Sequence, residues 1–218
     1  MNKWETITEG PFSPSWESLR TFETPDWFRD AKFGIWSHWG PQAVPMYGDW
    51  YARRMYIEGE PQYLHHWRTY GHPSEHGWKD MVKLWKAERF DPEGLMDKYA
   101  AAGAKYFCAQ AVHHDNFDNW NSAHNRWNSV KTGPEKDIVG LWQKSAKKRG
   151  LPFGVTEHLG ATFSWWSHNK NKDQAGPYAG VPYDGNDPEF EDFYLPNKEE
   201  AILLQQGSNW YTANEGWH

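Results

Sequence analysis

Three short apolar runs in this chain each break off at a histidine: Ala31 to Gly40 (AKFGIWSHWG), Lys105 to Phe117 (KYFCAQAVHHDNF) and Pro152 to Leu159 (PFGVTEHL). The first reads Phe33, Ile35, Trp36 without clean polar alternation, the pattern of a strand covered on both faces in a parallel sheet. The other two each follow a helix with legible ends. Asp91 caps, Pro92 suits the first helical position, Leu95, Met96 and Tyr99 form a stripe, and Gly103 stops the turn. Asp137 caps again, Ile138, Leu141, Trp142 and Ala146 share a face, and Gly150 ends it. Helix, glycine, short strand, polar residues is βα grammar. It predicts an α/β fold that gathers its chemistry at the C-terminal ends of parallel strands.

The remaining segments are less regular. Residues 1–24 read as an N-terminal arm with one short helix, and a turn at Pro25 to Asp30 leads into the first strand. Pro41 to Gly71 reads as a long irregular loop carrying Asp49, Trp50, Tyr51 and Tyr56, and long loops in compact domains tend to be functional. Met81, Leu84 and Trp85 predict a helix within Gly77 to Arg89. Gly160 to Pro196 reads as a loop over the strand ends, a short helix is expected in Lys198 to Gln206, and no fourth run matches the three strands in quality.

Charge excludes one class of partner. Lysines and arginines number 23 against 29 acidic residues, a net charge of −6, and the basic residues are dispersed, so nucleic acid has no electrostatic footprint to follow. No run approaches the roughly 20 apolar residues of a membrane span, and no secretory leader opens the chain, although a removed one would leave no trace. A soluble protein of open compartment is expected. Cys108, the one cysteine, has no internal disulfide partner and reads as a buried structural thiol. The 16 Trp, 11 Tyr and 11 Phe favour a carbohydrate partner, because the apolar face of a pyranose stacks on a ring while its hydroxyls bond to nearby polar groups.

His113, His114 and Asp115 form the densest polar cluster. A metal site is one reading, but adjacent residues on a strand point to opposite faces, so only one of the two histidines should reach a given ligand, and no His-x-x-x-His spacing accompanies them. Mutual satisfaction at a strand end is the plain structural alternative. Recognition of sugar hydroxyls is the third, since neutral imidazoles both donate and accept. Asp49 beside Trp50 pairs a carboxylate with a ring, and Glu157 ends the third strand as the other carboxylate candidate. Their alternatives are a solvated loop aspartate and a strand-end salt bridge.

Taken together, Trp27 to Gly40 (WFRDAKFGIWSHWG), Gly48 to Tyr51 (GDWY), Ala102 to Tyr106 (AGAKY) and His113 to Trp120 (HHDNFDNW) resemble the α-L-fucosidases of glycoside hydrolase family 29. The resemblance is strongest over residues 25–160, and it rests on the order and spacing of the blocks. It implies a somewhat irregular (β/α) TIM-like barrel with a β-sandwich behind it, and release of terminal α-L-fucose with retention, without metal or cofactor, through an Asp nucleophile and a Glu acid/base. It further implies that His38, His113 and His114 contact fucose hydroxyls, that Asp49 takes the place of a family carboxylate that binds them, and that Trp50 lines the pocket. The chain departs from the family at Thr156, Glu157 and His158, where Glu157 is expected to replace a sugar-contacting aromatic and is the one catalytic candidate. The family's nucleophile follows a fourth strand, expected past His218.

Residues 25–218 are therefore expected to be the N-terminal portion of a barrel, weakly active or inactive alone and calling for a complementing segment or an oligomer, with a fucosylated oligosaccharide or glycoconjugate as partner. A non-catalytic sugar-binding module, and a metal-dependent hydrolase using His38, His113 and Asp115, are the alternatives.

Overall fold

Residues 10–196 are described in the structure, a computed structural model of the chain. Helices α1 (Trp16–Leu19) and α2 (Asp26–Ala31) precede β1 (Ile35–Ser37), and α3 (Tyr51–Arg54), α4 (Pro61–Thr69), α5 (Trp78–Leu84) and α6 (Pro92–Ala101) lead to β2 (Phe107–Val112). Then come α7 (Ile138–Lys148), β3 (Phe153–Glu157), α8 (Thr162–Trp165) and α9 (Glu191–Tyr194). The three strands form one parallel sheet in the order β1-β2-β3, as the βα grammar predicts. Expected helix ends hold. Asp91 accepts from the Gly94 amide at 2.9 Å and Asp137 from the Gly140 amide at 2.8 Å, each satisfying a first-turn donor. Gly103 and Gly150 leave α6 and α7 at φ 95° and 68°, a conformation that costs glycine little.

One face of the sheet is covered by α6 and α7. Phe107, Trp142, Tyr99 and Phe153 stack there, with Phe107 and Trp142 ring centroids 4.8 Å apart, and Arg149 at the end of α7 bonds Glu93 and Asp97 of α6. The other face is open among the described residues. Trp36 is 49 % exposed, and its indole spans β2 to donate to the Thr156 hydroxyl at 3.1 Å. Two expectations are corrected here. Among the described residues the first strand is covered on one face only, and Cys108, which shares the open face with Trp36 by register, is half-buried rather than buried.

The segment Pro41 to Gly71 is not an irregular loop. It contains a 3₁₀ turn at Pro41–Ala43 and helices α3 and α4. Tyr51, Ala52 and Arg53 are all buried, so α3 shows no amphipathic period to read. Gly160 to Pro196 has no strand but is well packed. The Arg53 guanidinium donates to the Ser164 and Trp165 carbonyls at 2.6 and 2.8 Å, clamping α8. Asp173 accepts from Tyr63 and Tyr183 and faces His72 Nε2 at 3.0 Å, and Asp184 accepts from Tyr56 and Tyr194 at 2.8 and 2.6 Å. The expected helix at Lys198 to Gln206 lies outside the described residues. No helix among the described residues is long and apolar enough to cross a membrane.

Candidate functional site

The sheet's C-terminal edge brings the histidines together. His38 follows β1, His113 and His114 follow β2, and His158 follows β3. The ring centroids of His38 and His113 lie 5.0 Å apart, His38 and His158 5.3 Å, and His113 and His158 5.4 Å. A bulge makes this possible. Gln110 pairs with Thr156 and Val112 with Glu157, so β2 spends one more residue than β3 between those rungs. The extra residue, Ala111, sets the phase at which His113 meets His158.

The expectation that only one of His113 and His114 can face a ligand is corrected by the same strand end. Both residues lie past Val112, where the chain has left the extended path and strand alternation no longer applies. Their rings sit 4.8 Å apart, and both pack on Trp165, at 5.3 and 5.1 Å. Trp165 in turn meets Trp50 edge-on at 5.8 Å. The α3–α8 clamp through Arg53 thus carries an aromatic wall, Trp50 and Trp165, up to the imidazoles. Trp50 is held at φ 53°, ψ 34°, unusual for a residue with a bulky side chain.

Burial and neighbouring imidazoles favour the neutral form of His38, His113 and His114. Burial pushes His113 down to about 2 and His114 down to about 4, with the adjacent histidines adding to the shift. His38, at the exposed rim, is lowered by its partial burial and by His158, against a raising pull from Asp49. Neutral imidazoles each offer a donor and an acceptor. Asp49 is exposed, and its carboxylate accepts from the Trp50 amide at 2.9 Å.

Two carboxylates stand elsewhere. Asp115 turns into the core, where it accepts from the Trp78 indole at 3.1 Å and burial raises it to about 7. Glu157 pairs with Val112 and lines a separate cleft of ≈ 710 Å³ with Asp118, Trp120, Asn125 and Thr162. Burial raises Asp118 to about 6, with Glu157 contributing through its charge. A groove of ≈ 890 Å³ beside β1, lined by Trp39, Trp85, Phe90 and Trp142, is largely apolar and lies toward the helices rather than the histidines. The structure therefore gathers His38, His113, His114, Asp49 and Trp50 at one edge and sets Glu157 apart. It adds His158, Trp165 and Trp36, which sequence reasoning did not select. His158 was readable as the neighbour of Glu157 on an alternating strand, whereas Trp165 depends on the Arg53 clamp and left no local signal.

A family model described as alpha-L-fucosidase matches residues 1–210. The chain belongs to that family. Among curated members, the tissue alpha-L-fucosidase of Macaca fascicularis is 31 % identical over 209 residues, covering 95 % of this chain and 44 % of that protein. The human tissue alpha-L-fucosidase is 37 % identical over 150 residues, 68 % of this chain and 32 % of its own length. Among solved family members, the Thermotoga maritima alpha-fucosidase in complex with fucose is 37 % identical with a TM-score of 0.63, over 66 % of this chain and 36 % of that one. The chain spans less than half the length of the family members it matches.

Proposed function

We propose that this chain forms the fucose-recognising part of a retaining α-L-fucosidase of (β/α)-barrel architecture, which releases terminal α-L-fucose from fucosylated glycans. The observation that carries this is the convergence of four imidazoles on one sheet edge, walled by Trp50 and Trp165. Fucose presents hydroxyls on part of its ring and an apolar remainder. Neutral histidines serve the hydroxyls as donors and acceptors, and the indoles serve the apolar surface. The solved Thermotoga relative was crystallised with fucose and with a mechanism-based inhibitor, which supports the same assignment here.

His113 and His114 act as buried recognition groups, His38 and Asp49 as rim contacts, and Trp50 as the wall. Glu157, on the cleft shared with Asp118, is proposed as a contact for the sugar's leaving group rather than for fucose itself. Retaining hydrolysis uses two carboxyl groups roughly 5 Å apart across the scissile bond. Among the described residues Asp115 is committed to Trp78 and Glu157 faces another cleft, so recognition is the part of the task assigned to residues 10–196.

Calorimetric titration of the 218-residue chain with L-fucose tests the reading. Saturable binding, weakened at least tenfold in His113→Ala or His114→Ala by loss of a buried hydrogen-bond partner, is expected. No saturable binding would sink it. Robust fucose release from an aryl α-L-fucoside by this chain would assign it catalysis as well as recognition, whereas binding without turnover is the outcome expected of the recognising part.

A further inference from the structure

Three of the four imidazoles carry a geometry that sugar recognition does not require. One ring nitrogen each from His113, His114 and His158 lies within 4.8 Å of the other two, and the ring centroids are 4.8, 5.4 and 5.6 Å apart. Three imidazoles on a tetrahedral ion, at nitrogen distances of about 2.0–2.1 Å, have centroids about 5 Å apart and ligating nitrogens about 3.3 Å apart. The rings are therefore already placed, and modest rotations bring the nitrogens in. His38, 5.0 Å from His113 and 5.3 Å from His158, stands beside the triad.

A second observation concerns orientation. The His113 and His114 rings both pack on Trp165, at 5.3 and 5.1 Å, which holds their planes beside His158. The donor set is three nitrogens without a carboxylate, because Asp115 is turned into the core toward Trp78 and Glu157 onto another cleft. Such a set suits zinc, copper or nickel and not magnesium or calcium. This differs from the His38, His113, Asp115 combination considered from sequence, since strand-end geometry removes Asp115 and supplies His114 and His158 instead.

We propose that His113, His114 and His158 capture a divalent transition-metal ion of the zinc class at the mouth of the pocket, so that metal and sugar exclude one another. The exclusion rests on the sugar reading of this pocket, whereas the metal site itself does not.

The test titrates the chelator-treated 218-residue chain with ZnCl₂ by calorimetry and with CoCl₂ by visible absorption, each with and without saturating L-fucose. One ion per chain, a ligand-field band of tetrahedral cobalt, at least tenfold weaker uptake in His158→Ala, and weaker uptake in L-fucose are expected. His158 is half-buried at a strand end and is the ligand whose loss disturbs the core least; the cobalt band on the unaltered chain tests the triad without any variant. No saturable uptake, an octahedral cobalt spectrum, or uptake unchanged in His158→Ala would overturn the site. Uptake lost in His158→Ala yet indifferent to L-fucose would keep the triad and remove the exclusion, while titration of the metal-free chain with L-fucose decides the sugar reading on its own.

Discussion

Trp50 shows how a single residue can be kept against its own backbone preference. A bulky residue in the left-handed region costs on the order of 1–2 kcal/mol, a cost that glycine escapes. Here the conformation aims an indole at Trp165, beside the imidazoles. Replacing Trp50 with glycine relieves the backbone and removes the ring, so the two effects on stability oppose. Trp50→Gly is expected to change unfolding free energy by less than about 1 kcal/mol while weakening L-fucose binding at least tenfold. Urea unfolding and calorimetry measure the two separately. A large loss of stability with unchanged affinity would make Trp50 a core residue and not a wall of the pocket.

Among the elements, α6 and α7 were readable from end to end because their signals are local: a capping aspartate, a stripe at helical spacing, a glycine past the last turn. The cap is also where α7 can be tested. Asp137→Ala leaves the Gly140 amide without its side-chain acceptor, and is expected to cost about 1 kcal/mol and lower Tm by roughly 2–4 °C for a chain of this size. An unshifted thermal transition would show that water replaces the cap in full. The elements that escaped sequence reading are those without local signals. Helix α3 is four residues long with its first three residues buried, and α8 is fixed by an arginine more than a hundred positions away. Pro61, at the first position of α4, was a readable start signal inside a segment taken as loop. For the site, the strand-end histidines were legible as positions, but their convergence was not, because it depends on parallel register and on chain turns past the strands.

For the whole molecule, packing of Gly160 to Pro196 rests on buried carboxylates, and this couples stability to pH. Asp184 is 7 % exposed, hydrogen-bonded to two tyrosines, and raised by burial from its ordinary 3.8 to about 6. A carboxyl that holds its proton more tightly when folded favours the folded state below about pH 4, and that contribution is lost as pH rises through about 6. The buried histidines act in the opposite sense, losing stability as pH falls below 6.5. The difference between the wild-type chain and Asp184→Asn isolates the carboxyl. Asparagine still accepts from a tyrosine and cannot ionise, so the variant is expected to gain up to about 3 kcal/mol relative to wild type between pH 4 and 7. Parallel stability profiles across that window would refute the assignment.

The bulge at Ala111 carries a consequence for how such a chain tolerates change. Ala111 touches no pocket residue through chemistry of its own, so Ala111→Ser or Ala111→Gly should leave L-fucose affinity within about threefold, an effect below 1 kcal/mol. Deleting it is another matter. The rungs after Gln110 would slide by one, and the imidazoles after β2 would lose step with His158. A codon deletion at 111 is expected to abolish binding in a chain that still folds by circular dichroism, making this stretch permissive to misspelling and intolerant of miscounting.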